Sequence, residues 1–293
     1  MGIGEWLSLG CALAWAVAVV LFKKSGEHLP PFALNLVKNA IVLPLFVCTL
    51  WVVEGMAWPA LPPVHLALIL LSGLLGIAAG DTLYFHALNS IGASRMAVAQ
   101  ALYSPSVILL SFVYLGERLG VWQFVGVALV LGGIVLVTWS RDRSQADARA
   151  LRIGVAWAVL SVFLMALGVV IVKPMLEQHS FLWVVVLRVA AGFAGMLLIA
   201  LIRHQLAGLW RHYRAVRHWP IIVSGAIVGT YLSMMMWLAG YKYTQASIAA
   251  VLNELAAVFI LPLAALFLKE PVRLRQVLGV VVALSGVVLV VAR

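Results

Sequence analysis

The chain has 293 residues, a net charge of +10, 65% hydrophobic and only 10% charged residues, and a mean hydropathy of +1.10. That composition excludes a water-soluble fold, which needs far more polar residues to cover its surface. The positive charge does not point to nucleic acid, because the Lys and Arg residues fall between apolar runs, where anionic lipid headgroups account for them.

Ten apolar runs follow in order, at 4–22, 32–53, 64–88, 94–115, 120–139, 153–172, 180–202, 219–241, 245–268 and 275–292. Each is near the ~20 residues an α-helix needs to cross ~30 Å of hydrocarbon. Backbone in lipid must satisfy its own hydrogen bonds, so the runs are predicted helices. They lack the short alternation of a β-barrel. The expected fold is an all-α integral membrane protein with ten transmembrane helices.

The first run carries Trp15 and ends at Lys23 and Lys24, with no small-residue cleavage site, so it reads as a retained helix. In the second, Asn35, Lys38 and Asn39 share a face at i, i+3, i+4 spacing. Facing a cavity they hold a substrate carboxylate; near the helix end, Lys38 instead snorkels to headgroups. Cys11 and Cys48 lie in different runs and read as small core residues rather than a disulfide or metal site. The third run places Asp81 deep in a helix, with Tyr84, Phe85 and Leu88 on its face. Asp81 binds a substrate amine, carries a proton, or pairs with Lys38. In the fourth run Gln100, Tyr103 and Ser104 share a face beside Pro105, where a kink is predicted.

The seventh run holds Arg188. His204, His212 and His218 follow it, at spacings of eight and six that do not converge on a metal. In the eighth, Thr230, Met234, Trp237 and Tyr241 form one stripe. Trp237 stacks on a substrate or anchors the helix, and Tyr241 is expected to anchor it at the interface. The ninth run carries Asn253 and Glu254, the latter a substrate or proton site unless Arg188 or Lys242 pairs with it. Gly76-x-x-x-Gly80 and Gly225-x-x-x-Gly229 permit close helix contact.

Self-similarity organises these runs. Segment 93–140 lies on 246–293 without a gap, with 16 of 48 positions identical. Leu115-x-Glu117 matches Leu268-x-Glu270, and Gln123-x-x-Gly126 matches Gln276-x-x-Gly279. At a shift of 150 residues, Lys23 falls on Lys173, Glu27 on Glu177 and Lys38 on Arg188. Two repeats, 1–140 and 152–293, are thus joined by a polar linker, 141–151. An odd number of helices per repeat inverts the second relative to the first, the arrangement of secondary transporters built around one central site.

The Leu-x-Glu, Gln-x-x-Gly and Gly motifs, and the Ala-Ser pairs at 93–94 and 246–247, resemble the EamA-like branch of the drug/metabolite transporter superfamily. The resemblance implies a ten-helix carrier of small metabolites or drugs, often an amino-acid exporter. It also implies a cavity lined by the first, third, fourth, sixth, eighth and ninth helices. The first helix is also similar to that of small multidrug resistance proteins. Where those have a proton-binding Glu this chain has Trp15, which argues against that exchange mechanism.

The expected function is export of small metabolites, amino acids first, by alternating access. The alternatives are a membrane scaffold or a membrane enzyme acting on lipid-linked substrates. The candidate substrate-binding residues are Trp15, Lys38, Asn39, Asp81, Tyr84, Gln100, Tyr103, Arg188, Trp237, Asn253 and Glu254. No cofactor is expected, and no nucleotide-binding loop is present to supply ATP drive. Protons are a candidate coupling ion; membrane lipid is the expected partner, and monomer and homodimer both stay open. A bacterial inner membrane is expected, and loop charges favour both termini outside.

Overall fold

The computed structural model describes residues 1–26, 29–138, 148–259, 263 and 274–291. Those residues form helices and connecting turns, with no strand among them. In chain order they are α1 (Ile3–Gly26), α2 (Pro31–Glu54), α3 (Pro63–Gly73), α4 (Thr82–Gln100), α5 (Tyr103–Leu115), α6 (Val121–Thr138), α7 (Ala148–Gln178), α8 (Phe181–Ile202), α9 (Leu206–Ala215), α10 (Trp219–Ala226), α11 (Ser233–Tyr243), α12 (Ala246–Asn253) and α13 (Leu274–Val291). Five helical stretches are long and apolar enough to span a bilayer: Pro31–Glu54, Pro63–Ala87, Arg152–Gln178, Phe181–Ile202 and Trp219–Tyr243. Five shorter apolar helices accompany them.

Local chemistry explains several boundaries. Proline opens α2 and α3 and stands at the second residue of α10, where its missing N–H is no loss. Ser180 caps α8 by accepting from the Trp183 N–H at 3.3 Å. Gly116 ends α5 in the left-handed region, at φ 68°, which a residue without Cβ adopts freely.

Helices of one repeat pack chiefly on helices of the other. α6 runs along α13, α2 against α8, α5 against α12, α1 against α10 and α11, and α3 and α4 against α7. The α6–α13 crossing is very close. A Cβ on Gly126 would meet the Gly286 carbonyl at 2.7 Å, and one on Gly286 would meet the Gly126 carbonyl at 2.6 Å. Gly80 likewise abuts Met165, and Gly229 abuts Ala18 and Phe22. Large apolar residues point outward, among them Trp122, Phe124, Val281 and Val288. A lipid-facing surface is what a membrane protein presents there.

Two features depart from the expected helices, and both recur in the two repeats. π-helical turns, Leu74–Asp81 and Ile227–Leu232, join α3 to α4 and α10 to α11. The gap between the third and fourth apolar runs, 89–93, is not a break, since α4 continues to Gln100; the chain breaks instead at Ala101–Leu102. An equivalent break falls at Glu254–Leu255, 153 residues later. Pro105 therefore does not kink a helix: it sits in the first turn of α5, where a proline fits. Cys48 is exposed, not a core residue, while Cys11 is buried with Sγ 3.4 Å from Ser233 Oγ. Residues 139–147, which include the linker's 141–147, and the Glu27, Leu268 and Glu270 motif positions lie outside the described residues.

Candidate functional site

Polar groups collect in the middle of the bundle, where α2, the two π-helical turns and the two helix breaks converge. Lys38 is buried on α2, and its Nζ pairs with Asp81 Oδ2 at 2.8 Å. Its ammonium also lies over the Phe85 ring, 5.4 Å from the centroid. Lys38 thus does not snorkel; the ion-pair alternative describes it. Asn35 Nδ2 donates to the Ile77 carbonyl at 3.3 Å, inside the first π-helical turn. Asn39 Nδ2 donates to the Asn35 carbonyl at 2.8 Å, while Asn39 Oδ1 has no partner.

Removing one member of a buried ion pair strands the other charge, which costs about 3–5 kcal/mol. Lys38→Met is therefore expected to lower the melting temperature sharply. Adding Asp81→Asn is expected to restore most of it, as read by thermal melts of the purified protein.

Arg188 on α8 is the largest fully buried side chain among the described residues, at 1% exposure. Gly76 makes room for it: a Cβ there would lie 2.8 Å from Arg188 Nη2. Its Nε and Nη1 have no hydrogen-bond partner among the described residues, and its guanidinium stacks on Trp237 at 5.0 Å. Lys38 and Arg188, equivalent in sequence, thus differ in kind: one is ion-paired with Asp81, and the other forms no ion pair among the described residues.

Glu254 stands at the break after α12, is 7% exposed, and lies beside Ser104 with its Oε1 unpartnered. Neither expected partner pairs with it. Arg188 forms no ion pair among the described residues, and Lys242 Nζ lies instead over the Phe181 and Tyr243 rings, at 5.7 Å from each.

Between the two orphan charges sit Tyr103 and Tyr241, hydroxyl to hydroxyl at 2.9 Å. The Tyr103 hydroxyl is in electrostatic reach of both Arg188 and Glu254. Tyr241 is fully buried, so it is no interface anchor. It was drawn inward because its hydroxyl finds a partner there, as a buried phenol requires. Trp237 meets the Tyr241 ring edge-on at 5.5 Å. Tyr84 joins the cluster from α4, in reach of Asp81 and Glu254 and T-shaped on Phe85.

Gln100 Oε1 and both amide atoms of Asn253 are buried without partners at the two helix breaks. Thr230 Oγ1 is likewise unpartnered, within the second π-helical turn. Trp15 stands apart: its ring meets Phe22 at 6.3 Å, and it packs against both apolar clusters of the core. The cluster therefore draws on the second and seventh spans, which the resemblance did not include among the lining helices.

Buried polar atoms almost always find partners in folded proteins. Here six residues around one centre keep atoms without a partner among the described residues, and they include one basic side chain, Arg188, and one acidic, Glu254. Broken helices and π-helical turns flank the same centre, the arrangement in which membrane carriers expose backbone and side chains to a substrate.

The sequence matches the EamA-like transporter family over residues 2–139 and again over 152–292. The chain belongs to this family. Each match covers one repeat, and the protein is accordingly a membrane transporter. Two curated relatives from Archaeoglobus fulgidus, each described as an uncharacterized transporter, extend over the whole chain. One is 21% identical over 288 residues, covering 97% of this chain and 96% of its own. The other is 24% identical over 296 residues, covering 99% of each. A solved crystal structure of a protein shares the fold with a TM-score of 0.80 at 17% identity, over 98% of this chain and 96% of that one.

Proposed function

We propose that this transporter carries zwitterionic metabolites, amino acids first, and exports them across a bacterial inner membrane by alternating access between its repeats, 1–140 and 152–293. The observation that carries the reading is the pair of unpartnered, opposite charges at the centre. Arg188 takes the substrate carboxylate and Glu254 the ammonium. Trp237, Tyr84 and the Tyr103–Tyr241 pair receive the apolar part, and Asn253 and Gln100 offer neutral hydrogen bonds at the helix breaks. An isolated charge in the membrane interior costs about 3 kcal/mol on insertion scales. A ligand that neutralises both therefore recovers energy that the empty protein forgoes, and is selected for carrying both charges. Lys38 and Asp81 already satisfy each other and act as a fixed scaffold beneath the site.

Uptake and efflux in proteoliposomes test this, with a labelled amino-acid panel and analogues lacking the carboxylate or the amine, with and without a pH gradient. Transport confined to compounds that keep both groups supports the proposal. Equal transport of the analogues would overturn it, and dependence on the pH gradient would identify protons as the coupling ion.

A further inference from the structure

At one end of the bundle α1, α3, α8 and α12 begin and α2, α5, α7 and α11 finish. Among the described residues, four polar contacts there join the first repeat to the second. Glu5 Oε1 accepts from Thr244 Oγ1 at 3.1 Å. Ser180 Oγ donates to the Glu54 carboxylate. His65 Nδ1 and His179 Nε2 are 2.7 Å apart, and His179 is held below its ordinary 6.5 by burial and by the facing His65. The fourth contact is of another kind. Glu117 accepts from Ala246 N at 2.7 Å, Ser247 N at 3.0 Å and Ser247 Oγ at 2.9 Å.

The first N–H groups of a helix have no partner within the helix, and the N-terminus attracts a carboxylate. α12 does not supply its own cap: Gln245, in the capping position, makes no side-chain bond to it. The donors depend on a residue of the opposite repeat, aimed at them by the left-handed turn at Gly116. α12 has only eight residues, a rigid rod of about 12 Å. Its far end is the break that carries Glu254. A cavity of about 400 Å³ opens beside this contact, lined by Glu117, Lys173, Glu177, Lys242, Thr244 and Gln245 among others.

We infer that Glu117 is the latch that keeps this end of the pathway closed, and that its release frees α12 together with the Glu254 site it carries. Glu117 is a positioning residue: it touches α12, not the substrate. The inference rests on the carrier reading above, but its test needs no substrate, so the two fail separately.

In a background with Cys11 and Cys48 replaced by Ser, two reporters are introduced one at a time. Gln245→Cys, at an exposed position, marks the face of the membrane on which the latch lies. Ser104→Cys, at a fully buried position beside Glu254, reports access to the centre. A membrane-impermeant maleimide is applied to intact cells and to inverted vesicles. Glu117→Ala is expected to raise the labelling rate of Ser104→Cys at least tenfold, and only from the face that labels Gln245→Cys. Glu117→Gln keeps an acceptor oxygen and loses the charge, so it is expected to give a smaller rise in the same direction. It also carries the test if the alanine variant does not insert. Labelling of Ser104→Cys that stays at the parental rate in both variants, or rises from the opposite face, would overturn the latch.

Discussion

Replacing Arg188 with Met is expected to abolish transport and to raise the melting temperature. The guanidinium is buried against the Trp237 face, with two nitrogens unpartnered and no ion pair among the described residues. The cost of that charge in a membrane interior, about 3 kcal/mol on insertion scales, is borne by the empty carrier. A methionine is apolar, flexible and able to fill the space against Gly76. At roughly 2 °C per kcal/mol for a chain of this size, the gain is about 6 °C. Stability and function would then move in opposite directions, the signature of a binding group held at a structural cost. Arg188→Lys keeps the charge but loses the planar fork. It is expected to bind weakly, with little change in melting. Thermal melts and proteoliposome uptake on the same preparations decide the matter. A lower melting temperature with transport retained would make Arg188 structural.

The second large effect is expected from Glu254→Gln. Shape is preserved and the charge removed, so the loss falls on whatever the carboxylate binds. A charge-assisted hydrogen bond contributes about 1.5–3 kcal/mol, which corresponds to a roughly 10- to 150-fold weaker half-saturation for a zwitterion. An analogue with an acylated amine offers Glu254 no charge, and the substitution is expected to leave its poor transport unchanged. The variant should melt no lower than the parent, since Glu254 forms no ion pair among the described residues. If zwitterion and acylated analogue lose transport equally, the carboxylate serves the conformational cycle and not the substrate amine.

How far these residues were legible in the chain differs from case to case. Lys38, Asp81, Arg188 and Glu254 were visible as ionisable residues within apolar runs, because a charge in lipid is too costly to be incidental. Their division into a neutralised pair and two orphans was not visible. It depends on which faces α2, α8 and α12 present after packing, and periodicity does not specify the rotation of one helix against another. Tyr241 illustrates the same limit, since its place near a helix end suits an interface anchor and only the nearby Tyr103 hydroxyl explains its burial. The paired π-helical turns left no signal that periodicity could read: each is a local underwinding of the helix, with bonds to the fifth residue instead of the fourth.

Glu117 marks the boundary between the two kinds of information. Its recurrence as Leu-x-Glu in both repeats identified the motif, and composition, run length and internal duplication by themselves established an all-helical, twofold-repeated membrane protein. Those properties are set by the solvent, because lipid allows few backbone solutions and duplication leaves its register in the chain. What Glu117 binds, and which charges at the centre stay unpaired, were decided only by tertiary structure. The Glu117 contact and the Tyr103–Tyr241 pair each join residues more than a hundred positions apart, and packing between the repeats, not local sequence, brings them together.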